Sequence, residues 1–244
     1  MTITDTYADT TNGVGLVPSF EMPGHVLRDL LAGALVAAST DKTLPTLNGV
    51  FIEWGIDGEL VVSVAATDRF RISMGAWTAN PNEGTRRNVS DRGTVSDSGV
   101  FLMDRATASD LVKILPKASK RMTVPSRVVC QLVAGQLVIT FNDPMTGASW
   151  SRDVTGLIGE FPKYRSLVPT DDTIESSRGV SGIAWNPAYM ADADKIPHDK
   201  NDPIVWSFND PTRPMLGKYP RTESAISWRY LLMPVRLTTI SDRM

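Results

Sequence analysis

Two heptapeptides in this chain nearly coincide: VITFNDP at 138–144 and VWSFNDP at 205–211 agree at five of seven positions. A second pair, DGELVVSV at 57–64 and AGQLVITF at 134–141, shares a glycine turn followed by an acidic or amide residue, leucine and valine. A strand-and-turn that recurs in this way marks one supersecondary unit used more than once, and such a unit must be the building block of the fold. Each recurrence follows a stretch with helical periodicity, so the pattern to explain is helix, then antiparallel strands, three times over.

The first helix is expected within 23–40, PGHVLRDLLAGALVAAST, where Val26, Leu27, Leu30, Leu31, Ala34, Leu35 and Ala38 fall on one stripe. Pro23 suits its first turn. The second lies in 104–117, with Asp104 or Thr107 as cap and Leu111, Val112 and Leu115 as its apolar face. The third lies in 186–196, where Asn186 caps, Pro187 takes the first helical position and Pro197 stops the run. Strands are expected in 49–77, with a turn at Asp57-Gly58, in a hairpin around Ala134-Gly135, and in IVWSF and SWRYLLMPVRL. Residues 78–99 and 170–179 are rich in turn formers and read as loops. The fold class is α+β, with helices covering one face of a sheet.

Composition narrows the function. The chain of 244 residues is 42% hydrophobic and 21% charged, ordinary for a globular protein. No apolar run approaches the roughly 20 residues that span a bilayer. The start, MTITDTYADTTNGVG, lacks the basic and apolar segments of a signal peptide, so a cytoplasmic protein is expected. Cys130, the only cysteine, stands in the apolar run RVVCQLV and is expected to be a buried thiol. A formal net charge of −2 argues against a domain that grips nucleic acid mainly by electrostatics, though it permits a locally basic surface.

Catalytic constellations are missing from the sequence. His25 and His198 have no local partner for a triad or metal pair, no Cys/His spacing fits zinc, and neither a Walker loop nor a dinucleotide fingerprint is present. Asp68 in ATDRF is expected to bond its own turn, and the acidic TDD at 170–172 to be solvated. An enzyme is not expected, nor a cofactor or metal. The basic residues say more. Arg28 is on the first helix, Arg105, Lys113, Lys117, Lys120 and Arg121 lie in or just after the second, and Lys195 is on the third. They form either a solvated helix face or one that touches phosphates without sequence preference.

Four separated stretches, LPTLNGVFIEW…ATDRFRIS, GEFPKYRSLVP, IAWNPAYMADADKI and YLLMPVRL, occur in an order that resembles the bacterial DNA polymerase III beta subunit family, the sliding clamps, with actinobacterial versions closest. The resemblance runs from about residue 19 to 237. It implies a clamp fold, with two helix–strand units to a domain, helices lining a ring around duplex DNA and sheets outside. It implies a homo-oligomer that tethers DNA polymerase and clamp loader by short apolar peptides, raising processivity through effective concentration. By position, the peptide cleft would take Leu47, Thr67, Arg69, Phe70, Arg71 and Ile72 from one wall and Pro162, Ser166 and Leu167 from the domain connector. Leu231, Leu232, Met233, Pro234, Val235, Arg236 and Leu237 would supply the floor and far wall, and Arg71 and Arg236 would offer donors to peptide carbonyls. The DNA-facing residues would be Arg28, Arg105, Lys113, Lys117, Lys120 and Lys195.

The same resemblance divides the chain into a tail at 1–18, a domain like the family's second at 19–168, a linker at 169–179, half of a third domain at 180–237 and a tail at 238–244. Three units per chain imply four subunits for a ring of twelve units, or half-domains paired across a dimer, or a trimer by analogy with the two-domain clamps of some phages, or a reduced clamp that forms no ring and captures or decoys clamp-binding partners. The reduced size suggests a phage-encoded version. Ser166 replaces the common basic residue, and Arg69 and Phe70 replace the small or histidine residues of many members.

Overall fold

The computed structural model describes residues 17–56, 60–79, 92–118, 124–169, 183–198, 202–208, 212–219 and 226–235. Strand β1 (Ser19–Pro23) runs straight into helix α1 (Gly24–Leu35), with Pro23 in an extended conformation at the N-cap. Then follow β2 (Gly49–Trp54), β3 (Val61–Thr67), β4 (Arg71–Thr78), β5 (Thr94–Ser96) and β6 (Gly99–Asp104). Helix α2 (Arg105–Ile114) starts where Asp104 Oδ1 accepts from Thr107 N at 2.9 Å. Strands β7 (Arg127–Val133), β8 (Gln136–Asn142) and β9 (Ser149–Thr155) complete the second unit. The third holds helix α3 (Pro187–Asp192), β10 (Val205–Ser207), β11 (Met215–Lys218) and β12 (Ile226–Leu232). Asn186 Oδ1 caps α3 by accepting from Ala188 N at 3.0 Å.

The expected helices are all present, although α1 stops at Leu35, short of the expected end at Thr40. Two differences from expectation concern strands. Part of the expected loop 78–99 is strand β5, and β1, β6, β9 and β11 add to those foreseen. There are also two sheets, ordered β5-β1-β7-β8-β9 and β10-β11-β12-β4-β3-β2-β6, every pairing antiparallel. The β7–β8 hairpin turns at Ala134 (φ 49°) and Gly135 (φ 79°), two left-handed residues that match the twist of tight hairpins. The Asp57-Gly58 turn and the loop 170–179 lie outside the described residues. Among the described residues no helix is long and apolar enough to cross a membrane.

The first two units exchange strands. β1, from before α1, pairs with β7 of the second unit, and β6, from before α2, pairs with β2 of the first. Helices α1 and α2 pack on each other, and α1 reaches strands of both sheets. One core results, built on Leu27, Leu30, Leu31, Trp54, Trp77, Leu111 and Ile139, all at most 2% exposed, with Cys130 buried in it. The third unit joins differently. β12 pairs with β4 along seven residues, Ile226↔Trp77 through Leu232↔Arg71, so the larger sheet runs unbroken from one part of the chain to the other.

That sheet has two faces. Trp228, Tyr230 and Leu232 lie with the core that includes α1. A hypothetical Cβ on Gly33 would lie 2.2 Å from Trp228 Cη2, and one on Gly75 2.6 Å from Cζ3, so the indole occupies space that only glycine leaves. On the other face Phe51, Ala65, Ile72, Met74, Leu216 and Leu231 form a second cluster, closed by Phe161, Tyr164 and Val168 of the connector after β9.

Candidate peptide cleft

The candidate cleft begins where β4 meets β12. Thr67 Oγ1 donates to Arg71 O at 2.8 Å and accepts from Arg69 N at 3.1 Å, while Asp68 Oδ1 accepts from Phe70 N and Arg71 N at 3.0 and 3.1 Å. Asp68 thus bonds its own turn, which forces Arg69 to φ 80° and pushes Phe70 out to 52% exposure. Beyond β12, Met233 N donates to Phe70 O at 2.9 Å and Val235 N to Ala184 O at 2.8 Å. The chain around Pro234 therefore passes between the β3–β4 turn and the segment entering α3. Leu167, in a single 3₁₀ turn at Arg165–Leu167, is exposed with Pro162 and Ser166 on the connector.

This arrangement sorts the expected residues into two layers. Phe70, Leu167, Met233 and Val235 are between 36% and 52% exposed and form the apolar surface. Leu47, Thr67, Ile72, Leu231 and Leu232 are at most 7% exposed and lie underneath. Ile72 and Leu231 face each other across β4 and β12 in the connector-covered cluster, whereas Leu232 points into the main core. Alternation along a strand makes the difference, since neighbours must take opposite faces. Arg236 and Leu237 lie outside the described residues.

Arg71 is engaged within the chain. Its Nε donates to Asp68 Oδ2 at 2.9 Å, its Nη1 to Asp192 Oδ2, and its guanidinium lies 4.4 Å from the centre of the Tyr189 ring. Burial opposes its charge, but hydrogen bonds with Asp192, Tyr230 and Asp68 outweigh that and raise its pKa further. Arg71 therefore clamps α3 onto the sheet. Tyr189 was not foreseen as a site residue. Its ring stacks on Phe70 at 6.1 Å, and its carbonyl accepts from Tyr230 OH at 2.9 Å. Only the Tyr at the second position after Asn186-Pro187 signalled it in the sequence.

On the connector, Tyr164 OH donates to Glu53 Oε1 at 2.9 Å, Arg165 pairs with the same oxygen, and Phe161 stacks on Phe51 at 5.0 Å. Burial and the Glu53 charge push the Tyr164 hydroxyl well above the usual phenol range, so it stays a donor.

The cations expected to face DNA are largely engaged. Arg28 donates to Asp29 at 2.7 Å, and Arg105 donates to the carbonyls of Leu35 and Ala38 at the end of α1, at 3.2 and 2.8 Å. Lys113 pairs with Asp110 at 2.9 Å, and Lys195 with Asp192 at 2.5 Å. Lys117 is exposed; Lys120 and Arg121 lie outside the described residues. Among the described residues no cluster of three or more His, Cys, Asp or Glu is placed to hold a metal.

Comparison with known proteins agrees with the architecture. Residues 21–95 match the family model described as DNA polymerase III beta subunit, central domain. The beta sliding clamp of Streptomyces coelicolor is 31% identical over 153 residues, covering 62% of this chain and 34% of the relative. That of Micrococcus luteus is 29% identical over 164 residues, covering 65% and 43%. The matches thus span less than half the length of these relatives. In structure, the DNA polymerase III beta subunit of Thermotoga maritima aligns with a TM-score of 0.64 over 96% of this chain and 69% of its own, at 17% identity. A putative beta subunit from Eubacterium rectale aligns with a TM-score of 0.67 over 94% and 68%, at 14% identity. Matched in sequence through its first helix-and-strand unit and in fold along nearly all its length, the chain is similar to the DNA polymerase III beta sliding clamps.

Proposed function

We propose that this chain works as a clamp-type processivity factor, a homo-oligomer that surrounds duplex DNA in the cytoplasm of a bacterial cell and tethers DNA polymerase and clamp loader. It carries out no reaction of its own. The single observation that supports this best is the β4–β12 pairing, which brings Phe70 beside Met233, 163 positions later, with exposed Leu167 on the connector that covers the same sheet. Exposed Leu, Met, Val and Phe side chains suit the leucine and phenylalanine anchors of a short peptide, and the thioether of Met233 adapts to differently shaped partners.

The test is fluorescence anisotropy with a labelled peptide carrying adjacent Leu and Phe anchors. The wild type should bind it. Met233→Asp should weaken binding by at least about tenfold, the loss of roughly 1.5 kcal/mol of apolar contact. Removing residues 233–244 should abolish binding while residues 19–168 stay folded. Binding that survives the truncation would overturn the cleft.

One observation favours a second reading, a clamp-like protein that engages replication partners without surrounding DNA. Arg28, Lys113 and Lys195 each pair with a carboxylate and Arg105 is committed to backbone carbonyls, which leaves the helices little net charge for phosphates. A closed oligomer that slides on circular duplex and falls off after linearisation would decide for the first reading. Failure to be retained on circular duplex at low salt would decide for the second.

A further inference from the structure

The larger sheet has more face than the connector covers. Side chains alternate along a strand, so Ser227 and Arg229 lie on the face of Leu231, Lys218 on that of Leu216, and Ala76 on that of Ile72 and Met74. Lys218, Ser227, Arg229 and Ala76, with Glu53 of β2 and Ser63 of β3, border a basin of about 710 Å³. It lies on the face opposite α1, so a duplex that faces the helices does not reach it. The connector separates this basin from the candidate cleft. Arg165, Val168 and Pro169 line the basin, while Ser166 and Leu167 between them belong to the candidate cleft.

The basin is positive in a chain whose formal net charge is −2. Three cations line it, Arg165, Lys218 and Arg229, against one carboxylate, that of Glu53. Glu53 is 7% exposed and already accepts from Tyr164 and Arg165. Lys218 and Arg229 stand directly opposite each other across β11 and β12, a placement in which like charges repel. Arg229 is exposed and pairs with no carboxylate among the described residues. Ser63, Thr78 and Ser227 add hydroxyls to the lining. An anion held here relieves the repulsion and gains charge-assisted hydrogen bonds.

We infer that this basin takes an acidic flank of the same partner peptide whose apolar anchors occupy the candidate cleft. Carboxylates next to the anchors in sequence meet Arg165 as the peptide crosses the connector, and then Lys218 and Arg229, which complement them in charge. Partners are then sorted by the acidic residues beside their anchors and not by the anchors alone. The inference rests on the peptide-binding part of the proposed function and needs neither a ring nor DNA.

The experiment is fluorescence anisotropy of the full chain with three labelled peptides that share adjacent Leu and Phe anchors. One carries four aspartates before the anchors, one carries them after, and one carries four serines instead. The wild type should bind one of the aspartate peptides at least about tenfold more tightly than the serine peptide, and the gain should shrink as salt shortens the reach of the charges. Arg229→Glu and Lys218→Ala should each lose the gain and still bind the serine peptide like the wild type, with far-UV circular dichroism unchanged. On Arg229→Glu, four lysines in place of the aspartates should recover part of the gain, which a merely structural role for Arg229 would not produce. Arg152→Ala on β9 should leave the gain unmoved. Equal affinity for all three peptides, or a gain that survives both basin variants, would overturn the inference. So would a gain that appears only when the chain's own Asp171, Asp172 and Glu175 are made Asn, Asn and Gln, because the basin would then serve the segment that follows Pro169. An aspartate peptide held through Arg229 while the serine peptide fails to bind would sink the candidate cleft and leave the basin standing. Tight binding of all three peptides alike would do the opposite, and binding of none would sink both.

Discussion

Residues 19–168 and the third unit are built from the same helix-and-strand element and are stabilised in different ways. In the first body two units trade strands β1 and β6, and α1 and α2 cover each other. The third unit has no such reciprocal partner within the described chain. It gains a core by extending a neighbour's sheet through β12 and by inserting Trp228 against Gly33 and Gly75. Its short helix is then pinned by an ion pair from Arg71 to Asp192. A repeat unit cannot bury its apolar face alone, so what it borrows determines where it can fail. The first body should fail as a whole, and the third unit at its few attachments.

The strongest attachment is Trp228, only 2% exposed. Replacing a large buried aromatic with alanine costs about 3–5 kcal/mol. Trp228→Ala should therefore release the third unit before residues 19–168 unfold, giving two transitions in a urea titration. Gly33→Ala approaches the same joint from the other side. Its added methyl would crowd the indole, and overpacking of this kind costs about 1–3 kcal/mol. If both variants keep one transition at the wild-type midpoint, the two regions are a single cooperative body and share one stability.

The next test separates the two regions by acid. Asp192 in the third unit has its carboxyl held below the usual range: burial pushes it up, and hydrogen bonds from Lys195 and Arg71 more than offset that. A depressed folded-state pKa gives stability that is complete above the unfolded value of about 4 and lost as pH falls through the folded one. Asp29 on α1 behaves oppositely, because burial raises its carboxyl and Arg28 only partly compensates. Its protonation, as pH falls from neutral through its raised folded value, adds stability to the first body. Hydrogen exchange measured below pH 4 should show 187–196 losing protection while 24–35 retains it. Arg71→Ala should produce the same selective loss at neutral pH, with a cost of about 2 kcal/mol for a half-buried pair.

Sequence legibility followed the same divide. Local signals were readable: the apolar stripe of α1, the Asp104 cap, the Asn186-Pro187 start of α3 and the Ala134-Gly135 turn each depend on neighbours a few positions away. Strand β9 was missed because an edge strand has no need of alternating apolar residues, and SWSRDVT has few. The family resemblance assigned the site residues to one candidate cleft but could not sort them by layer. Whether Leu231 or Leu232 faces the connector depends on the register against β4, some 160 positions earlier. Arg71 misled for a related reason, since its partner Asp192 is 121 positions away and nothing near Arg71 announces it.

The smallest expected effect concerns the helix cations. Lys113 and Asp110 are both exposed and their pair contributes little to folding. Asp110→Asn should therefore leave the melting temperature unchanged while freeing a cation on α2. If the helices of both regions face duplex DNA, each freed cation that reaches a phosphate should steepen the salt dependence of binding by about one logarithmic unit per logarithmic unit of salt. Asp192→Asn, which frees Lys195 in the third unit at the cost of the Arg71 pair as well, makes the parallel measurement there. Equal steepening would place α2 and α3 on one DNA-facing surface despite their different attachments. Steepening from α2 alone would confine DNA to the first body, and no change from either would leave the helices facing solvent.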